Sequence, residues 1–214
     1  MAAMETGVPA PRMTATRLFV MVQGISVGVL GVIHGVSEVL KGFRPTEGFL
    51  LVTIGAVSVI PNYLVTGLAS IAVAVCVALW TAFFIPRRWG PAVFLALSVL
   101  LLLVGGGIAH VPFFLMAWGV STRINKPLTW WRSALRESAR MRLAGMWRSM
   151  FITGFCLVGV GIGIWLFLLP PWSSNRNAAI QLVCWTFLAF GFLMQPLAVV
   201  SGFARDIPRA GPGS

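Results

Sequence analysis

The fold of this chain is decided by its first long apolar stretch, LFVMVQGISVGVLGVIHGVSEVL, which covers residues 18–40. About 20 mostly apolar residues suffice for a helix to cross the hydrocarbon core of a bilayer. The stretch is also longer than the apolar core of a cleavable signal peptide, which has about 7–15 residues. It therefore predicts a transmembrane helix that is retained in the protein.

The composition of the whole chain is that of a membrane protein. Hydrophobic residues make up 58% of its 214 residues and charged residues only 10%, whereas soluble domains contain about 25% charged residues. The formal net charge is +11. Because membrane proteins accumulate lysine and arginine in their cytoplasmic loops, this charge requires no nucleic acid, and we expect no nucleic-acid partner.

Three further stretches have the length and apolar character of spans: residues 64–85, 150–169 and 178–200. The sequence thus predicts an all-α integral membrane protein, a helical bundle of four clear spans with two short or broken apolar segments and a cytoplasmic amphipathic helix. The predicted organisation is a flexible cytoplasmic tail at 1–17, a single polytopic membrane domain at 18–204 and a cytoplasmic tail at 205–214.

Two apolar segments are too short or too interrupted to cross as single helices. Residues 48–60 are followed by Pro61, and residues 91–121 are interrupted by three consecutive glycines, 105–107, and by Pro112. Irregular backbone at membrane depth occurs only where protein buries it or where it lines a cavity. Each segment either crosses the membrane once or re-enters and returns to the side it left.

The distribution of basic residues favours the re-entrant alternative. With both segments re-entrant and the N-terminus inside, only Lys41, Arg44 and Arg176 lie outside; with both segments crossing, Arg87 and Arg88 lie outside as well. Basic residues concentrate on the cytoplasmic side of membrane proteins. We therefore expect a multi-pass protein of the plasma (inner) membrane with cytoplasmic N- and C-termini.

The segment 125–148 has the pattern of a basic amphipathic interfacial helix. Apolar residues recur in it at spacings of three and four, and Arg132, Arg136 and Arg140 follow one another at spacings of four. Like charges at that spacing repel along a helix, and an anionic leaflet offsets this by about 1 kcal/mol per basic residue. Anionic membrane lipids are the expected partner, with a soluble protein or an acidic ligand as alternatives.

Small residues at helical spacing predict two faces for close helix packing. Gly24, Gly28, Gly31 and Gly35 recur at spacings of four, three and four within the first span. Such a stripe lets a second helix approach closely. Gly159 and Gly163 form a shorter example in the third long span. The contacting helix belongs to this chain, to a membrane-protein partner or to a second copy in a homo-oligomer.

The first span also contains His34 and Glu38, four residues apart and therefore neighbours on one helical face. Ionisable groups within spans are costly and mark functional sites by default. If the segment 91–121 folds back, His110 reaches a similar depth and three ligands for a proton or a metal converge. The alternative is structural: Glu38 lies among the headgroups and pairs with Lys41 or Arg44. The sequence identifies neither a metal nor a cofactor.

Asn62 lies at the break beside Pro61. We treat it as a candidate ligand-binding residue, because a break in a helix exposes backbone polar groups to a ligand. An asparagine at such a position also commonly caps the helix that begins beside it.

Four stretches resemble a family of small, uncharacterised bacterial polytopic membrane proteins: residues 34–38 (HGVSE), 60–67 (IPNYLVTG), 103–107 (LVGGG) and 124–132 (INKPLTWWR). This family has no assigned activity, so the resemblance implies a bacterial plasma membrane and no catalytic or binding residue.

Three functions remain open for a chain with this pattern. The broken segments and the His34–Glu38 pair indicate a small transporter or permeation subunit. The glycine faces and the lack of a catalytic motif indicate instead a non-catalytic subunit or assembly factor of a larger membrane complex. A membrane enzyme acting on lipid or quinone ranks behind both, since only His34, Glu38 and His110 are available to serve it.

Overall fold

The computed structural model describes residues 13–46, 48, 50–51, 56–169 and 177–207. In these ranges the chain forms seven helices and one short hairpin, which we label in chain order: α1 (Ala15–Val39), β1 (Leu50–Leu51), β2 (Ala56–Val57), α2 (Tyr63–Phe83), α3 (Gly90–Leu103), α4 (Val111–Ser121), α5 (Thr129–Ala134), α6 (Glu137–Leu168) and α7 (Ala178–Asp206). The predicted tails up to residue 12 and from residue 208, and the turn 170–176, lie outside the described residues.

Four of these helices are long and apolar enough to cross a membrane: α1, α2, α6 and α7. They correspond to the four predicted spans, and the predicted class, an all-α helical membrane protein, is confirmed. The helices α3 and α4, of 14 and 11 residues, lie in the predicted broken segment. At 1.5 Å per residue each is shorter than the ~30 Å hydrocarbon core.

The glycine stripe of α1 packs against α2. A Cβ added to Gly28 would lie 2.8 Å from the carbonyl oxygen of Ala74, and one added to Gly35 would lie 2.8 Å from the carbonyl oxygen of Gly67. Gly24 and Gly31 meet α2 in the same way, through Thr81 and Ala74. The two backbones therefore approach as closely as they do because α1 has no side chains on this face.

The helices α6 and α7 form a second antiparallel pair, but through different glycines from those predicted. A Cβ on Gly161 would lie 2.7 Å from the Leu188 side chain, and one on Gly191 would lie 2.7 Å from the backbone nitrogen of Val158. By contrast, a Cβ on Gly159 or Gly163 would meet no atom within 4 Å among the described residues. Gly159 and Gly163 therefore pack against no other helix of the described chain, because glycine spacing alone does not determine which face of the helix is buried, and their role as a packing face for a partner or a second copy stays a prediction.

Both questionable apolar segments return to the end of the bundle they left. The amide of Tyr63 donates to the carbonyl oxygen of Arg44 at 3.0 Å, which closes the segment containing the β1–β2 hairpin. The Asn125 side-chain amide donates to the carbonyl oxygen of Pro86 at 3.1 Å, which brings together the two ends of the α3–α4 segment. Both are therefore re-entrant, as the distribution of basic residues favours.

The two re-entrant segments also meet each other. Ser58 and Val104 form an isolated antiparallel bridge, and the amide of Val59 donates to the carbonyl oxygen of Leu103 at 3.0 Å. Each irregular segment thus satisfies backbone polar groups of the other, which is the condition for non-helical backbone at membrane depth.

The predicted amphipathic helix over residues 125–148 is not one helix. It is divided into α5 and the first turns of α6 by extended backbone at Leu135 and Arg136, after which α6 continues without a break into the membrane span. A continuous helix would stack Arg132, Arg136 and Arg140 at repelling spacings of four; the break separates them. Arg132 and Arg136 are exposed, whereas Arg140 is buried and its guanidinium lies 3.7 Å from the carboxylate of Glu137.

The C-terminal end of α7 is bound to the N-terminal end of α1. We expected Arg205 and Asp206 in the C-terminal tail, but α7 extends through both residues. The Asp206 carboxylate accepts hydrogen bonds from the amides of Ala15 and Thr16, each at 2.8 Å, and from the Thr16 hydroxyl. A carboxylate is favoured there because the first amides of a helix lack partners within the helix and carry partial positive charge.

The packing predicts that leucine destabilises the protein at Gly28 and has little effect at Gly163. Gly28→Leu should lower the free energy of unfolding by about 1–3 kcal/mol, the usual range for overpacking, because its side chain must enter α2 backbone. Gly163→Leu is the matched control, since an added Cβ there meets nothing within 4 Å. Thermal unfolding in detergent measures both variants; an equal melting temperature for Gly28→Leu and the native chain would contradict this packing.

Candidate functional site

The turn between α3 and α4 is built on the glycines at positions 105–107. Gly105 has φ +95° and Gly107 has φ +90°, the left-handed region that side chains disfavour. A Cβ on Gly105 would lie 2.5 and 2.6 Å from the two carboxylate oxygens of Glu38, and one on Gly107 would lie 2.6 Å from Nε2 of His34. Both the backbone conformation and the approach of α1 therefore require glycine at these positions.

Glu38 is fully buried where this turn meets α1. Neither of its carboxylate oxygens has a hydrogen-bond partner among the described residues. Among the described residues Glu38 forms no ion pair within 4 Å with Lys41 or Arg44, but Lys41 is near enough for its charge to act on the Glu38 carboxylate, while its Nζ lies 4.2 Å from the centre of the Tyr63 ring. A buried carboxylate without a partner is costly, which sets Glu38 apart from ordinary packing residues.

His110 lies just before α4 and is 1% exposed. Neither ring nitrogen forms a hydrogen bond of regular geometry among the described residues, although the backbone of Gly106 lies close enough to interact with the ring, and the ring lies 5.8 Å from that of Phe114. His34, which is partly exposed, is near enough for the charges of the two imidazoles to interact. The fold therefore brings His34, Glu38 and His110 around one turn.

The described part of the chain contains no group of three or more histidine, cysteine, aspartate or glutamate side chains that could hold a metal ion. Glu38 and His34 lie against different glycines of the turn, Gly105 and Gly107, so a shared metal site of the three residues stays a prediction. The arrangement is a cluster of buried ionisable groups.

A pair of hydroxyl groups lies beside Glu38 and was missed in the sequence. Oγ of Ser58 and Oγ1 of Thr66 are 2.9 Å apart, and Thr66 donates to the carbonyl oxygen of Ile60 at 3.1 Å. The Thr66 methyl group and the Glu38 carboxylate would both touch the same Cβ on Gly105. The sequence did contain a signal for this pair, namely Pro61. A proline interrupts regular backbone hydrogen bonding, so nearby carbonyl groups such as that of Ile60 are paired by side-chain donors instead.

Asn62 takes no part in this cluster. It is the N-cap of α2, where its side-chain oxygen accepts a hydrogen bond from the amide of Val65 at 3.2 Å. This is the ordinary capping role of asparagine. The structure therefore places Asn62 at the start of α2 and gives it no contact with Glu38.

The comparisons with known proteins leave the site to be interpreted from its geometry. No family model, no curated protein and no solved structure matches this chain. Chemically, the described cluster offers one carboxylate and two imidazoles that can gain and lose protons, with Ser58 and Thr66 hydroxyl groups at its edge.

Proposed function

We propose that the protein is a small transporter or permeation subunit that moves protons or small cations, with Glu38 as the binding group. The observation that carries this proposal is the Glu38 carboxylate, which is fully buried against the glycine turn and accepts no hydrogen bond from the described residues. Binding of a proton or a cation neutralises its negative charge and so removes the free-energy cost of burying that charge. His34 and His110 are the neighbouring groups to which a proton would pass.

The broken helix pair supports a cation rather than an anion at this point. The helix α3 ends at Leu103, immediately before the glycine turn that contacts Glu38. The C-terminal end of a helix carries partial negative charge, and transporters use such discontinuous helix ends inside the membrane to bind coupling ions. The C-terminal end of α3 and the Glu38 carboxylate therefore both favour a positively charged ligand.

The complex-subunit alternative receives less support from the packing. The glycine stripe of α1, one of its main arguments, is already covered by α2, so it needs no external partner. Gly159 and Gly163 remain open on α6 among the described residues. Co-purification with a stoichiometric partner would favour this alternative, and a lipid- or quinone-acting enzyme remains the third candidate.

Flux through reconstituted vesicles tests the transport proposal. Glu38→Gln keeps the size of the side chain and removes its charge, so proton or cation flux should fall at least about tenfold while the melting temperature stays within a few degrees. Glu137→Gln is the matched control, because the Glu137 side chain is 68% exposed; it should retain flux.

The histidines extend the same experiment. His110→Ala and His34→Ala should each reduce flux, because both rings belong to the proposed path. Native protein that shows no proton or cation flux, together with a Glu38→Gln variant that loses only stability, would contradict the transport proposal.

We also propose the orientation of the protein in a plasma membrane, with the basic end of the bundle in the cytoplasm. Contacts between the two re-entrant ends and between α1 and α7 gather Arg17, Arg87, Arg123 and Arg205 at this end. Lys41 and Arg44, which follow α1, belong to the opposite end. Exposed Arg132 and Arg136 are suited to the headgroups of an anionic leaflet, whereas buried Arg140 is not.

Cysteine labelling in intact cells tests this orientation. In a background lacking the three native cysteines, Ser173→Cys should react with an impermeant reagent added outside, because it lies in the sequence between α6 and α7, which end and begin opposite to the basic end of the bundle. Ser133→Cys in α5 is the control and should react only after permeabilisation. The reverse pattern of labelling would invert the proposed topology.

A further inference from the structure

A second polar feature lies in the middle of the bundle, away from Glu38. Gln23 on α1 and Gln195 on α7 are each 1% exposed. The oxygen and the nitrogen of both side-chain amides lack hydrogen-bond partners among the described residues. An unpaired buried polar group costs about 1–3 kcal/mol, so two such amides need a reason to be there.

Both amides line one cavity of about 240 Å³ between α1, α4, α6 and α7. The rest of its lining is almost entirely apolar and includes Leu30, Phe113 and Phe155. Ser26 also lines it, but its hydroxyl already donates to the carbonyl oxygen of Val22 at 2.9 Å. The two glutamines are therefore the lining side chains whose amide groups are unpaired. Their polar atoms are covered by the surrounding side chains, so a ligand in the cavity reaches them when these side chains move.

The cavity is reached from the lipid. Ile25, Val29 and Ile33 line it and are also exposed on the outer face of α1, which is surrounded by hydrocarbon in a spanning helix. Gln23 precedes Glu38 by 15 positions, or about 22 Å along the helix. The cavity is thus distinct from the proposed ion site and accessible to molecules dissolved in the membrane.

The lining determines the chemical class of the ligand. No charged side chain lines the cavity among the described residues, which disfavours an ionic headgroup. Each glutamine amide provides both a donor and an acceptor. A cavity of about 240 Å³ accommodates one small ring or ester group and leaves an apolar tail in the lipid.

We propose that this cavity binds the head of a neutral, lipid-soluble carbonyl compound, whose oxygens accept hydrogen bonds from the side-chain amides of Gln23 and Gln195. A quinone and a diacylglycerol both have this chemistry. The apolar wall binds the body of the ligand, and the two amides, on helices distant in sequence, fix its position.

Binding to the purified full-length protein in lipid nanodiscs tests the proposal, with a short-chain benzoquinone and a diacylglycerol as separate probes. Saturable binding of either probe is expected, and the probe that binds identifies the source of the carbonyl group. Gln23→Leu and Gln195→Leu should each weaken binding at least about tenfold, the factor that 1.4 kcal/mol represents. Gly159→Leu narrows the cavity from α6 and should weaken it too.

Ser98→Ala is the matched control, because Ser98 is a buried hydroxyl without a described partner that does not line the cavity; it should bind like the native protein. The melting temperature distinguishes binding from folding. Leucine at either position should leave it unchanged or raise it, since an unpaired amide is removed. Failure of both probes to bind, or binding that both leucine variants retain, would overturn the proposal.

Discussion

The close approach of α2 to the glycine face of α1 is the constraint on which the rest of this structure depends. Without side chains at Gly28 and Gly35, the α2 backbone lies directly on α1. This contact places the start of α2, with Thr66, beside Glu38 near the end of α1. The third glycine-dependent contact, between Gly105 and the Glu38 carboxylate, then positions the α3–α4 turn. Helix packing and the geometry of the candidate site therefore have the same physical cause. Glycine has no Cβ atom, so a neighbouring helix or side chain lies directly against its backbone.

The two re-entrant segments are compatible with a membrane because they complete each other. Backbone groups that leave a helix within the bilayer cost several kcal/mol each when unpaired. The contact of Val59 with Leu103 and the bridge between Ser58 and Val104 pair such groups between the segments. These contacts reduce the free-energy penalty of placing irregular backbone at this depth, and they hold the glycine turn against α1. The Glu38 carboxylate, which the glycine turn covers, still accepts no hydrogen bond from the described residues.

Much of this architecture follows from local sequence patterns. The length of the apolar runs predicts four spans, and the breaks at Pro61 and at the three glycines predict the re-entrant segments. Features that depend on which helix faces meet were not predictable. Nothing local distinguishes Gly161, which contacts α7, from Gly159, which does not. Gln195 is unremarkable until α1 brings Gln23 to the same cavity. From the sequence Asp206 is predicted to lie in a tail, because nothing near it in the sequence shows that the amides at the start of α1 donate to its carboxylate.

A disulfide between the two re-entrant segments tests the central claim most directly. In a chain without Cys76, Cys156 and Cys184, Ser58→Cys and Val104→Cys should cross-link on mild oxidation in the membrane, because residues paired across antiparallel strands have Cα atoms about 4.5–5.5 Å apart, within disulfide range. Ser58→Cys with Ser121→Cys, at the opposite end of α4, is the control pair and should stay reduced. If both segments crossed the membrane instead, residues 58 and 104 would be about 15 Å apart, half the hydrocarbon thickness. Absence of the 58–104 cross-link would contradict the account.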